Sequence, residues 1–141
     1  RWPGKVKPGT LCDTPVISMD FYPTFLELAN LKPGKQPIDG ESLLPLLSQS
    51  GALKRKAIYF HYPNYAWHMG NRLGSVIREG DWKLIRNYDD NSLELYNLPR
   101  DLSEKKNVAK QNPKLVSRLN KKLTNWLKAT GAPMPRPSKG D

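Results

Sequence analysis

Two histidines, His61 and His68, and one cysteine, Cys12, are the side chains best suited to hold a metal or attack a substrate, and their number and spacing limit both roles. A three-ligand metal site needs more than two histidines, and neither lies in an H-x-x-x-H helical pair, so packing or structural roles are expected for them. Cys12 stands in a turn-rich segment without a sequence-local activator, which suits an inert small side chain better than a nucleophile. The Asp89-Asp90 pair resembles a carboxylate site, yet Asp-Asp-Asn between two apolar runs is ordinary turn chemistry. Glycine-rich phosphate loops, zinc-finger spacings and RRM patterns are absent. What remains is a mixture of rings and charge at Tyr62, Tyr65, Trp67, His68 and Arg72, where stacking plus a cation would hold a sugar or a single nucleic-acid strand. A loop whose aromatics pack against a sheet fits the same residues.

These side chains need elements to position them. Ala57 to Tyr62 is β-branched and aromatic and is stopped by Pro63, which predicts a strand, whereas Asn64 to Leu73 has no period and predicts a long irregular loop. Ser75 to Arg78, Trp82 to Tyr88 and Leu93 to Asn97 are separated by Glu79-Gly80-Asp81 and Asp89-Asp90-Asn91, so two hairpins in series should complete a four-stranded antiparallel sheet. One face of such a sheet must be covered. The cover is the last helix, with Asn112 as N-cap, Pro113 at the first position, Leu115, Val116, Leu119, Leu123, Trp126 and Leu127 on one side, and Gly131 as its stop. Nearer the start, Asp20 as N-cap, Pro23 in the first turn and Asn30 as a stop predict a short buried helix over residues 20 to 30. Ser42 to Leu47 predicts a single helical turn. Residues 132 to 141 carry three prolines and are expected to be extended and poorly ordered.

Composition sets wider bounds. At 141 residues and 38% hydrophobic, the chain can build one modest domain, or a small domain with a detached segment. A formal net charge of +10 favours anionic partners, although the basic residues fall in short clusters that a solvated surface would also show. One cysteine excludes an internal disulfide. The sequence has no apolar run long enough to span a bilayer as a helix, and Arg1-Trp2-Pro3-Gly4 does not begin a signal peptide.

Six stretches carry a family likeness. Arg1-Trp2-Pro3-Gly4 with Lys7-Pro8-Gly9-Thr10 resembles the R-W-P-G-x-x-x-P-G-T segment of sulfatases. Asp20 with Pro23-Thr24-Phe25-Leu26-Glu27-Leu28-Ala29 is similar to their D-x-x-P-T-L-L-x-L-A helix. Asp39-Gly40, Ser42-Leu43 and Pro45-Leu46-Leu47 resemble D-G-x-S-L-x-P-L-L, and His61-Tyr62-Pro63 resembles the H-Y-P-H-Y element of one bacterial group. Arg78-Glu79-Gly80-Asp81-Trp82-Lys83-Leu84-Ile85 resembles R-x-G-D-W-K-L-I. Glu94-Leu95-Tyr96-Asn97-Leu98, with Asp101, Glu104, Asn107, Val108 and Ala109, resembles E-L-Y-N-L-x-x-D-P-x-E-x-x-N-L-A near the sulfatase C-terminus. The order and spacing are those of the family.

The resemblance implies an α+β architecture: a small antiparallel sheet of about four strands with a C-terminal helix on it, preceded by a helix-containing segment left from an alkaline-phosphatase-like α/β domain. Residues 1–50 would end that large domain, 51–131 would form the C-terminal subdomain, and 132–141 a flexible tail. It implies that the apolar side of the 20–30 helix is exposed here. In sulfatases a formylglycine made from C/S-x-P-S-R acts beside calcium. Cys12-Asp13-Thr14-Pro15-Val16 does not match that motif, so nucleophile and metal are expected outside this chain, which alone should be inactive. The subdomain would supply one wall of the substrate pocket, through His61, Asn64, His68 and Arg72. Asn64 stands where the second histidine of H-Y-P-H-Y belongs, and Leu102 replaces the usual proline of D-P-x-E. The implied partners are a sulfated carbohydrate or small molecule and the missing N-terminal catalytic domain, with nucleic acid disfavoured and a periplasmic or secreted setting suggested. The alternative reading is a stand-alone basic module that binds anionic polysaccharide or nucleic acid.

Overall fold

The structure is a computed structural model that describes residues 2–64 and 70–136. The chain divides between Lys56 and Ala57 into two compact units.

In the first unit a 3-10 turn, Ser18–Asp20, leads into α1, Phe21–Leu28, and a short α2 spans Leu44–Leu47. Asn30 ends α1 as expected. It adopts φ 53, and beyond it the Leu31 N–H reaches back to the Leu26 carbonyl at 2.8 Å, the bond of a Schellman stop. Asp20 departs from the expected N-cap role. Its carboxylate takes the Ile17 N–H at 2.9 Å, the Glu41 N–H at 3.1 Å and both terminal nitrogens of Arg55, and it is fully buried. Burial works to raise the pKa of this acid, but the Arg55 hydrogen bonds and the two amides outweigh it and hold Asp20 below the ordinary value. Next to it, Thr24 donates to the Asp20 carbonyl at 2.6 Å and accepts from the Leu43 N–H at 2.9 Å. Gly40 passes so close that an added Cβ would lie 2.1 Å from the Met19 carbonyl oxygen, so only glycine fits there.

This polar knot corrects the periodicity-based expectation of a buried helix. The side of α1 turned inward carries Thr24, its one buried residue, while Phe21 and Phe25 stack on each other at 6.1 Å and stay exposed. The exposure implied by the resemblance is what the structure shows.

The second unit holds β1, Ala57–Tyr62, β2, Gly74–Glu79, β3, Trp82–Asn87, and β4, Leu93–Asn97, joined as an antiparallel meander in sequence order. Gly80 turns the first tight hairpin at φ 55. In the second, Asp90 accepts the Ser92 N–H at 2.9 Å and Asn91 sits at φ 57, so the aspartate pair is a turn, as read from the sequence. α3, Pro113–Ala129, covers one face. Ile77, Leu84 and Leu95 from the sheet meet Leu119, Leu123 and Leu127 from the helix in one buried cluster, and Tyr59 stacks on Trp126 at 4.8 Å. Each buried leucine contributes about 1.5–3 kcal/mol.

Asn112 also departs from its expected part. Its side chain makes no cap bond and its Nδ2 donates to the Val108 carbonyl at 2.9 Å, because the preceding 3-10 turn, Ala109–Gln111, brings that carbonyl within reach. Gly131 stops α3 as expected, at φ 62 with Ala132 N–H on the Leu127 carbonyl.

The segment after β4 explains its own sequence pattern. Asp101 accepts the Lys105 and Lys106 N–H groups, Glu104 pairs with Lys83 at 2.7 Å, and Asn107 Oδ1 takes the N–H groups of Leu95 and Ala109. Asp101, Glu104 and Asn107 of the most family-like stretch are staples of a loop, and none of these three points to chemistry.

Candidate functional site

Side chains alternate along a strand, so β1 sends Tyr59 and His61 toward α3 and Ile58, Phe60 and Tyr62 to the other face. On that other face Phe60, Val76, Ile85 and Glu94 stand in register across all four strands. A second row runs Tyr62, Gly74, Asn87. Where Gly74 lacks a side chain the row is hollow, and a cleft of about 470 Å³ opens over both rows, with Arg72 among its lining residues.

The cleft has a graded chemistry. Phe60 and Tyr62, half exposed, give it an aromatic end over an aliphatic floor. Its polar end is built by Asn87, whose Nδ2 donates to Glu94 Oε1 and to Ser92 Oγ, both at 2.9 Å. The second oxygen of Glu94 accepts from the Tyr96 hydroxyl at 2.5 Å. Burial first, and then that bond to an anion, push the Tyr96 phenol up to about 12, so it remains a donor at any physiological pH. At the rim Asn71 Nδ2 donates to the Tyr62 hydroxyl at 3.2 Å. The exposed guanidinium of Arg72 adds positive charge; Asp90 is held low by the Ser92 N–H and side chain and, more weakly, by that charge. An aromatic wall, hydrogen-bonding groups and a cation suit an anionic sugar: the ring stacks, hydroxyls bond, and the charged group faces the guanidinium.

Of the four residues expected in a pocket, the cleft gathers His61 and Arg72. His61 lends its strand, but its imidazole is on the α3 face, where Nδ1 meets Ser75 Oγ at 2.6 Å and Nε2 meets the Pro133 carbonyl at 2.7 Å. A carbonyl only accepts, so Nε2 carries a proton. In the neutral ring Nδ1 then accepts from Ser75, and the Tyr88 hydroxyl, 2.6 Å from Ser75 Oγ, completes the chain of donors. The ring ties the sheet to the segment after α3. Asn64 is exposed and does not line the cleft. His68, with Tyr65 and Trp67, lies outside the described residues. Phe60, Asn87 and Glu94 were missed as site residues; strand alternation was the signal that could have found them.

Against known proteins the chain has clear relatives. Residues 1–130 match the family model described as N-sulphoglucosamine sulphohydrolase, C-terminal. The chain belongs to this sulfatase family. A sulfatase of Formosa agariphila is 34% identical over 94% of this chain and 27% of its own length. An N-acetylglucosamine-6-O-sulfatase of Bacteroides thetaiotaomicron is 34% identical over 77% of this chain and 20% of its own. The solved structure of BT4656 in complex with its substrate D-glucosamine-2-N,6-O-disulfate superposes with a TM-score of 0.60 at 33% identity, over 79% of this chain and 23% of that one. The chain thus spans about a quarter of the length of such sulfatases.

Sulfatase chemistry by way of formylglycine and calcium finds no fit in these residues. Among the described residues no three His, Cys, Asp or Glu side chains group as a cation site requires, and the surroundings of Cys12 lack the arginine and proline spacing of the modification motif. Neither is any described helix long and apolar enough to cross a membrane.

Proposed function

We propose that this chain is the C-terminal portion of a sulfuric ester hydrolase acting on sulfated carbohydrates, and that it supplies one wall of the substrate pocket but neither nucleophile nor metal. The observation that carries the reading is the cleft on the free face of the sheet, where Phe60 and Tyr62 stand beside Arg72, Asn87 and Glu94 in a chain that belongs to the sulfatase family. Sugar names on two of its relatives support the substrate class. Arg72 is the residue assigned to the anionic group. Asn64 and His68 are kept as proposed pocket residues on the family likeness and the sequence alone, and His61 braces the strand from behind.

The first unit is proposed to be the end of the large catalytic domain. Most of the exposed large hydrophobics fall in it, among them Leu11, Phe21, Tyr22, Phe25 and Leu31, which is the surface of an element whose neighbours come from elsewhere.

The test is release of inorganic sulfate from glucosamine sulfates, measured for the 141-residue chain and for the full-length product that contains it. The chain alone should release none. In the full-length enzyme Arg72→Ala should raise KM tenfold or more, as expected for loss of a charged contact to bound substrate. An unchanged KM for every sulfated sugar that is turned over would remove Arg72 from the pocket.

A further inference from the structure

From Lys105 to Ala129 the chain carries eight Lys and Arg and no Asp or Glu. Helix geometry sorts the basic residues of α3. Leu119, Leu123 and Leu127 face the sheet, and Lys114, Lys121 and Lys128 lie on the opposite, exposed side. They repeat every seven residues, so their stems leave the helix about 10.5 Å apart in one nearly straight line. Arg118 and Lys122 flank this line and share a single carboxylate, Glu79. Among the described residues no carboxylate pairs with Lys114, Lys121 or Lys128. The result is a convex stripe of evenly spaced positive charge on the side of the subdomain away from the cleft.

We infer that the outer face of α3 is a second, non-catalytic binding surface for a linear sulfated polysaccharide. Charge complementarity names the occupant. A polymer that repeats an anionic group along an extended chain can meet three collinear ammonium groups at once, each adding a modest charge-to-charge contact and releasing a counterion. A single nucleic-acid strand is served less well, because it is held largely by stacking, and the one aromatic ring of α3, Trp126, is already stacked on Tyr59. Choosing a sulfated glycan rather than another polyanion rests on the proposed substrate class. Placed behind the sheet, the stripe could hold one stretch of a polymer while another stretch enters the cleft. Such tethering raises the local concentration of substrate without adding any contact in the pocket.

The experiment is calorimetric titration of the 141-residue chain with size-defined heparin oligosaccharides over a series of salt concentrations. Changing Lys114, Lys121 and Lys128 together to Glu should weaken binding at least tenfold. It should also lower the slope of log affinity against log salt by about two to three units. The milder Lys→Gln triple variant, which leaves the helix surface neutral, should show a smaller loss in the same direction and guards against misfolding of the first. A control with Lys5, Lys7 and Lys35 changed to Glu carries the same net charge and should bind nearly as the parent does. Equal losses in control and stripe variants would overturn the inference, reducing it to net charge. Duplex DNA bound as tightly as heparin through the same three lysines would overturn the choice of occupant. Sulfate release by the full-length protein is read separately, so failure of the sulfatase reading leaves a heparin result standing, and the reverse.

Discussion

The two units of this chain solve the problem of holding together in opposite ways. In the second, a sheet with strict alternation turns Ile77, Leu84 and Leu95 onto the leucines of α3, and Leu119 and Leu123 lose all contact with solvent. The first is arranged around a buried ion pair and hydrogen bonds from backbone N–H groups to the carboxylates of Asp20 and Glu41, while Phe25 remains 63% exposed. Hydrophobic burial is available to a segment that owns both partners of a packing interface. If, as proposed, the first unit is the end of a larger domain, it owns one side only, relies on directional polar bonds and leaves its apolar side bare. The cleft sits on the unit with its own core, and a rigid sheet holds binding side chains more accurately than loops can.

The sharpest way to break this contrast is to remove one partner of the ion pair. Arg55→Ala leaves the Asp20 carboxylate buried with only amides, and should cost the first unit about 3–5 kcal/mol of local stability. Proteolysis rates within residues 15–45 would report it, and the sheet should not notice. Leu123→Ala should remove about 2–5 kcal/mol from the second unit by opening a cavity in the buried cluster between the sheet and α3, measured by urea denaturation. Asn107→Ala strands the Leu95 N–H in a part-buried place and should cost about 1–3 kcal/mol in the same assay. Phe25→Ser lies at the other extreme. It should leave urea stability within about 0.5 kcal/mol and raise solubility, because the ring is largely exposed and stacks only on Phe21, itself exposed, among the described residues.

Acid provides a further separation. The pKa of Asp20 is depressed on folding, so its contribution is fully present above the ordinary aspartate value of 3.8 and is lost as pH falls through the lower folded value. The first unit should therefore loosen in that acid window. In Arg55→Ala the loss should begin at higher pH, read from the fluorescence of Trp2 against that of Trp82 and Trp126.

Legibility in the sequence followed the range of the interaction. Strands, hairpin turns and α3 were readable because alternation, Gly80, the Asp89-Asp90-Asn91 turn and the leucine spacing are local signals. The pairing of Asp20 with Arg55 was not, since the partners are 35 residues apart and either could cap a helix or face solvent. His61 is the instructive case. Family likeness drew attention to it, but the alternation of β1 turned its ring toward Ser75 and Pro133 and gave the cleft to its neighbours Phe60 and Tyr62. Placing α3 on the Tyr59 face would have assigned the imidazole to that side in advance. Glu94 was hidden in a motif whose other polar members are loop staples, and Asn87 lay outside every motif.

Amide hydrogen exchange on the 141-residue chain tests the central contrast most directly. The amides of β1–β4 and α3 should exchange only through global unfolding of the second unit, and those of residues 21–31 orders of magnitude faster. Equal protection of both segments in the chain alone would contradict it, because α1 would then have a packing partner that its exposed rings deny.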